Sequence, residues 1–225
     1  MSNTSQNKKS SLLSVMEGIA QQRLIHPDPD FDKTISNSKA KGLPDIAVNP
    51  VQGQYLSILC QLINAKRVLE IGTLGGYSTM WFAKAGAQVT SIEISEKHRD
   101  VALENLHAAG LDANIVLGAA LDVLPKLAEA GGQFDLVFID ADWGEQWEYF
   151  DWAAKMVRKG GAIYVDNVVQ TMMEDGEAFS AGDKSLVARV GADSRVKATM
   201  VPTISAYKTT SGDPWVDGFL LAIVL

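Results

Sequence analysis

With 225 residues the chain is long enough for one domain with a full core and too short for two of ordinary size. Hydrophobic residues make up 47% and charged residues 21%, the balance of an ordinary globular protein, and no apolar run approaches the roughly 18 residues that would span a bilayer. A net charge of −7 argues against a nucleic-acid partner, which would favour a basic face.

Residues 1–10 are polar and predict no ordered structure. Leu12, Val15, Met16 and Ile19 form one apolar face of a first helix, which ends at or before Pro27 and Pro29. Glu17, and the lack of any arginine before Arg23, speak against a transit peptide. An N-terminal arm and helix over residues 1–35 is therefore expected to precede one domain over residues 36–225. A polar connector from Lys33 to Pro50 leads to a second helix, Val51 to Asn64. Cys60 lies in it at helical spacing with Leu56 and Ile63 and reads as a core thiol rather than a nucleophile. As the sole cysteine it allows no intrachain disulfide, which fits a reducing compartment such as the cytoplasm.

From Arg67 onward strand and helix alternate. Strands are expected near 67–71, 88–93, 113–117, 134–140, 161–166, 196–204 and 217–225, with helices near 78–85, 96–109, 120–129, 145–158 and 181–192. Such alternation implies an α/β fold with a mostly parallel sheet covered on both faces. The last two runs, VKATMVPTI and DGFLLAIVL, have no convincing helix between them and read as an antiparallel pair.

The segment RVLEIGTLGGY, Arg67 to Tyr77, carries the most information. A buried strand runs into a tight glycine turn (Gly72, Gly75, Gly76), which brings backbone close to a ligand, and a helix opens near Ser78. The dinucleotide fingerprint G-x-G-x-x-G is missing, because its third and sixth places, counted from Gly72, fall on Leu74 and Tyr77. Glu93 closes the next apolar run about 20 residues on, where such folds place a carboxylate on ribose hydroxyls. A second acid, Glu70, precedes the turn. This combination suits an adenosyl ligand without a pyrophosphate, and S-adenosylmethionine is the candidate. The plainer alternative is a βαβ unit with a glycine turn and no ligand.

A second cluster follows from strand ends. FDLVFIDAD puts Asp140 and Asp142 at the end of one buried strand, and AIYVDN puts Asp166 and Asn167 at the end of the next. Parallel strands end on one edge, so Asp140, Asp166 and Asn167 converge near the glycine turn. Three oxygen donors without a local His or Cys suit Mg²⁺ or Mn²⁺; equally, they are what loop acids and strand caps look like. The histidines His26, His98 and His107 have no metal-ligand spacing, and a solvated helix face is the expected home of His98 and His107. Trp147 and Phe150 are expected to pack inward, with Trp143 on the loop at the mouth of the site.

The stretch from about Gly42 to Leu225 resembles the cation-dependent O-methyltransferases, the group containing catechol and caffeoyl-CoA O-methyltransferases. The matching pieces are VQGQYLSILCQLINAKRVLEIGTLGGYST, VTSIEIS, FDLVFIDAD, GGAIYVDNVV and DGFLLAIVL. The resemblance implies a class I methyltransferase, Rossmann-like sheet of seven strands, the last inserted antiparallel. It implies that Glu70, Gly72, Gly76, Ser78, Glu93 and Asp140 hold S-adenosylmethionine, with Gly118 and Ala119 near the adenine. Asp140, Asp166 and Asn167 fall on the family's metal positions. The expected acceptor is a small aromatic hydroxyl compound, the expected assembly a homodimer.

One departure matters. The family usually reads DADK, whose lysine takes the acceptor's proton, whereas this chain reads Asp140-Ala141-Asp142-Trp143. Asp140 and Trp143 are the candidate catalytic residues, yet tryptophan cannot accept a proton. The metal alone could depress the hydroxyl pKa. Lys39, Lys41 or Lys208 could substitute. Or the acceptor could be a carboxylate, ionised at pH 7 and needing no base. A non-catalytic protein that binds S-adenosylmethionine is the rival from another class, and an NAD-dependent oxidoreductase is weakened by the failed fingerprint.

Overall fold

A computed structural model describes residues 3–175, 184–205 and 215–225. Three helices come first: α1 (Asn3–Leu24), α2 (Pro29–Ala40) and α3 (Pro50–Leu62). Then β1 (Arg67–Ile71), α4 (Tyr77–Lys84), β2 (Gln88–Glu93), α5 (Glu96–Ala108), β3 (Asn114–Leu117), α6 (Ala120–Glu129) and β4 (Phe134–Ile139) alternate. A 3-10 turn (Trp143–Glu145) leads through α7 (Gln146–Met156) to β5 (Val157–Val165), α8 (Val168–Asp175), α9 (Leu186–Gly191), β6 (Val196–Ser205) and β7 (Trp215–Val224).

All seven expected strands form one sheet in the order β3-β2-β1-β4-β5-β7-β6. The first five pair in parallel; β7 is antiparallel to both β5 and β6, the antiparallel pair that the last two runs suggested and the inserted last strand that the resemblance implied. The central strands are buried on both faces because their alternate residues serve opposite layers. Leu69, Ile71, Val137, Ile139, Ile163 and Val165 face the layer of α6, α7 and α9. Val68, Leu136, Phe138 and Tyr164 face the layer of α3 and α4, where Cys60 is also buried. Chain order reverses between β1, which leads outward to β2, and its other neighbour β4. The crevice at the carboxyl ends of those two strands is the switch point at which such sheets bind ligands.

Several expectations need correction. The connector expected from Lys33 to Pro50 is helical as far as Ala40, where α2 ends. Only Phe31 and Ile35 give that helix apolar bulk, too little for a periodic signal. Its marks are instead Asp28, which caps the Asp30 N–H at 3.1 Å, and Pro29 at the first position. Phe31 then stacks on Trp81 with centroids 4.0 Å apart. Helix α1 reaches back to Asn3, into the stretch expected to lack structure. Helix α8 was not expected at all, and β5 begins directly at the end of α7 instead of at residue 161. Of the helix expected over 181–192, residues 181–183 lie outside the described residues.

Candidate active site

The turn after β1 is crowded by its neighbours. Gly72 has a φ of +93°, and a Cβ there would lie 2.0 Å from the Asp140 carbonyl oxygen, so β4 can approach this closely only a glycine. Gly76, at φ +78°, opens α4 from the left-handed region. Between them Leu74 adopts φ +50°, uncommon without glycine. Glu93 holds this strained segment. Its Oε2 accepts the backbone N–H groups of Thr73 at 3.1 Å and Leu74 at 2.8 Å, while its Oε1 accepts that of Ser95 at 2.9 Å.

Glu70 lies behind the turn with no exposed surface and accepts the hydroxyls of Ser78 (2.5 Å), Ser91 (2.6 Å) and Thr79. Burial pushes its carboxyl up to about 7, although these hydroxyl bonds favour the ionised form. Thr73 bonds Ser91 in turn at 2.6 Å, so one buried network joins β1, β2, the turn and the first residues of α4.

A cavity of about 380 Å³ opens over the turn. Gly72, Ser78, Glu93, Gly118, Ala119 and Asp140 line it, as the sequence suggested. Glu70 and Gly76 do not: they shape its wall from behind, Glu70 through Ser78. Three contributions were not foreseen. Ile46, Ala47 and Val48, from the segment before α3, cover one side. Glu145 and Tyr149 face the cavity from the other and are joined by a hydrogen bond from the tyrosine hydroxyl. His98, assigned to a solvated helix face, lines it with Nδ1 3.5 Å from Glu93 Oε1. His98 stands five residues after an acid on the next element, a spacing with no recognised meaning, so the sequence offered no signal.

Asp140 belongs both to this cavity and to the carboxylate cluster beside it. Its backbone N–H continues the ladder to Ile71 at 2.9 Å, and that of Asp166 continues it to Ile139 at 2.9 Å, so both side chains start from one sheet edge. Desolvation raises the Asp140 carboxyl, and Glu70 and Asp217 add to the shift. Asp166, only 7% exposed, is pushed well above the usual carboxylate range by burial, then by Asp140 and Asp217. Against this, Gln52 donates to Asp166 Oδ2 at 2.8 Å. Gln146 steadies the Asp166 carbonyl at 2.9 Å. Asn167, at φ +59°, donates from Nδ2 to Asp217 Oδ2 at 2.7 Å. Asp217 was the residue missed here: an acid opening the apolar run of the final strand was its only trace.

None of the neighbours that shift Asp140 and Asp166 is basic. Two desolvated carboxylates that repel each other, beside a carboxamide, form a donor set whose charge a hard cation would relieve. Among the described residues no group of three His, Cys, Asp or Glu side chains is arranged to hold a metal ion. The expected set, two acids and an amide, is of another kind.

Trp143 is half-buried in the 3-10 turn and does not line the cavity; Asp142 beside it does, and accepts the Gly144 N–H at 2.8 Å. Of the substitutes for the missing lysine, Lys39 is exposed, Lys41 pairs with Glu104 at 2.8 Å, and neither lines the cavity. Lys208 lies outside the described residues.

The sheet order and a glycine-turn cavity closed by an acid on β2 define a class I, Rossmann-like methyltransferase. Residues 31–206 match the family described as O-methyltransferase. The catechol O-methyltransferase of Mycobacterium tuberculosis is 40% identical over 217 residues, 93% of this chain and 94% of its own. An O-methyltransferase from Bacillus cereus, solved in complex with SAH, superposes with a TM-score of 0.84 at 33% identity, covering 96% of this chain and 100% of its own. The O-methyltransferase TomG of Streptomyces achromogenes, solved in complex with SAM, gives a TM-score of 0.83 at 31% identity over 96% of this chain and 98% of its own. The chain belongs to the O-methyltransferase family and is an S-adenosylmethionine-dependent enzyme. No helix among the described residues is long and apolar enough to cross a membrane.

Proposed function

We propose that this enzyme methylates a hydroxyl of a small aromatic acceptor of the catechol type, with a divalent cation held by Asp140, Asp166 and Asn167. The observation that carries the reading is the double position of Asp140, which lines the cavity and also faces the buried Asp166 and Asp217. S-adenosylmethionine supplies the methyl group as a sulfonium, and a bound cation would lower the pKa of the acceptor hydroxyl.

This chain's own residues bind, orient and exclude water. Glu93 offers carboxylate lone pairs to the ribose hydroxyls while fixing the turn, and Gly72 keeps the approach to the cofactor open. Ser78, held by Glu70, lines the cavity near the turn, and Gly118 and Ala119 form the adenine end. Ile46, Ala47 and Val48 shield the opposite side. Alignment of acceptor oxygen with methyl carbon in a dry site is the main catalytic contribution that methyl transfer requires.

A carboxylate acceptor is the second reading. One observation favours it: among the described residues lining the cavity there is no lysine to take a proton, and the imidazole present, His98, sits beside Glu93 rather than beside Asp140 and Asp142. An acceptor screen of catechols beside aromatic carboxylic acids, with and without EDTA, separates the two. Turnover of catechols that EDTA abolishes supports the first reading; turnover of carboxylic acids alone, indifferent to EDTA, replaces it. Absence of turnover with both acceptor classes would overturn both readings of the acceptor.

We further propose a homodimer in the cytoplasm. Leu12, Val15, Met16 and Ile19 of α1 are each more than half exposed, an apolar face that a second copy would cover. The lone cysteine, buried and reduced, is in keeping with the cytoplasm. A monomeric mass by light scattering would remove the dimer.

A further inference from the structure

Asn167 immediately precedes α8, the position at which an asparagine side chain normally caps a helix by accepting the N–H of the third helical residue. Here that N–H belongs to Gln170, and it donates to Asp217 Oδ1 at 3.2 Å, an acceptor supplied from β7 47 residues further along the chain. The other oxygen of Asp217 takes the Asn167 amide at 2.7 Å. Asp217 is 8% exposed and set in the β6–β7 ladder opposite Thr203. Its neighbour Gly218 is pressed against α8, for a Cβ there would lie 2.6 Å from Val169. The carboxylate therefore has little room to move.

We propose that Asp217 is a positioning residue for the cation site: it caps α8 in place of Asn167 and fixes which end of the Asn167 amide faces the cluster. An anion on one side of a carboxamide selects the NH₂ end, because the flipped amide would bring two acceptor oxygens together. With Nδ2 committed to Asp217, Oδ1 is released from capping and becomes the end available to a cation beside Asp140 and Asp166. The inference rests on the cation site proposed above, and adds the partner that orients its one neutral donor.

The test is a double-mutant cycle on Mn²⁺ affinity, measured by calorimetry on EDTA-stripped full-length protein, with S-adenosylhomocysteine affinity as the control for folding. Wild type should bind Mn²⁺, and Asp217→Ala should bind it about 10–100-fold more weakly, the usual effect of removing a partner that orients a metal ligand. S-adenosylhomocysteine affinity should stay within about threefold, since Asp217 does not line that cavity. Asn167→Ala combined with Asp217→Ala should bind Mn²⁺ no more weakly than Asn167→Ala alone, because the first residue acts through the second. Should Asp217→Ala not fold, Asp217→Asn carries the same cycle with a smaller loss. Unchanged Mn²⁺ affinity in the Asp217 variants, or losses that add to that of Asn167→Ala, would overturn the inference while leaving the cation site standing. A wild-type protein that binds no Mn²⁺ overturns the cation site itself, and this inference with it.

Discussion

Glu93 accepts the backbone N–H of Leu74 at 2.8 Å, and Leu74 is the residue that holds φ +50° in the middle of the glycine turn. The carboxylate that faces the cofactor cavity thus also stabilises the strained backbone beneath it. Removing it disturbs both. Glu93→Ala should weaken S-adenosylmethionine binding by roughly 1–3 kcal/mol, the range for a lost hydrogen bond to a charged group. It should also lower the unfolding midpoint of the cofactor-free protein, because the buried N–H of Thr73 and the part-buried N–H of Leu74 lose their acceptor. Calorimetry giving wild-type affinity would remove Glu93 from the cofactor site.

The buried Glu70 predicts a pH dependence of stability. Its carboxyl is raised from 4.5 in the unfolded chain to about 7 in the folded one. Between these values the folded state keeps a proton that the unfolded state has released, so wild-type stability falls as pH rises through this window. Glu70→Gln lacks the group. The stability difference, variant minus wild type, should therefore grow from pH 4.5 to pH 7 by at most about 3 kcal/mol and then level off. Denaturant titrations at four or five pH values give the curve. A flat difference would mean that Glu70 folds as a carboxylate held by its three hydroxyl donors.

Much of this was legible in the sequence, and the failures have physical causes. The central strands were visible because buried parallel strands read as continuous apolar runs, and LVFI or AIYV leaves little choice. Asp140, Asp166 and Asn167 were visible because strand ends in a parallel sheet meet on one edge. Helix α2 was not, because its apolar bulk is limited to Phe31 and Ile35 and its other contacts come through the polar Thr34, Asn37 and Ser38, too little for an apolar stripe. Asp217 was hidden for a different reason: its partners Asn167 and Gln170 lie far off in the chain and meet it only through the antiparallel insertion of β7. Contacts between distant elements carry no local pattern.

Removal of divalent cations is expected to abolish hydroxyl methylation. Activity should fall by roughly 100-fold or more in EDTA, corresponding to the few kcal/mol that a Lewis acid contributes, and return with Mg²⁺ or Mn²⁺. Asp166→Ala should show the low rate in either condition. Full activity in EDTA, with an empty site in a crystal soaked with Mn²⁺, refutes the assignment of Asp140, Asp166 and Asn167.

Trp143 stands where the family resemblance led a lysine to be expected, and its indole can donate but not accept a proton. It does not itself line the cavity but adjoins Asp142, which does, and its proposed role is an aromatic wall at the mouth. Stacking against an acceptor ring would contribute about 0.5–1.5 kcal/mol beyond buried area, so Trp143→Ala should chiefly raise KM. Trp143→Lys asks the sharper question. With a catechol acceptor the new amine, in its neutral form, can take the hydroxyl proton, and kcat should rise, most at the pH values where that neutral form is populated. With an aromatic carboxylic acid nothing should change, because no proton has to leave at pH 7. The measurement is kcat against pH for both acceptors in wild type and in Trp143→Lys. A wild-type enzyme that already methylates catechols rapidly, with a pH profile the lysine leaves unaltered, would show that the cation or another side chain already does the work of the absent base.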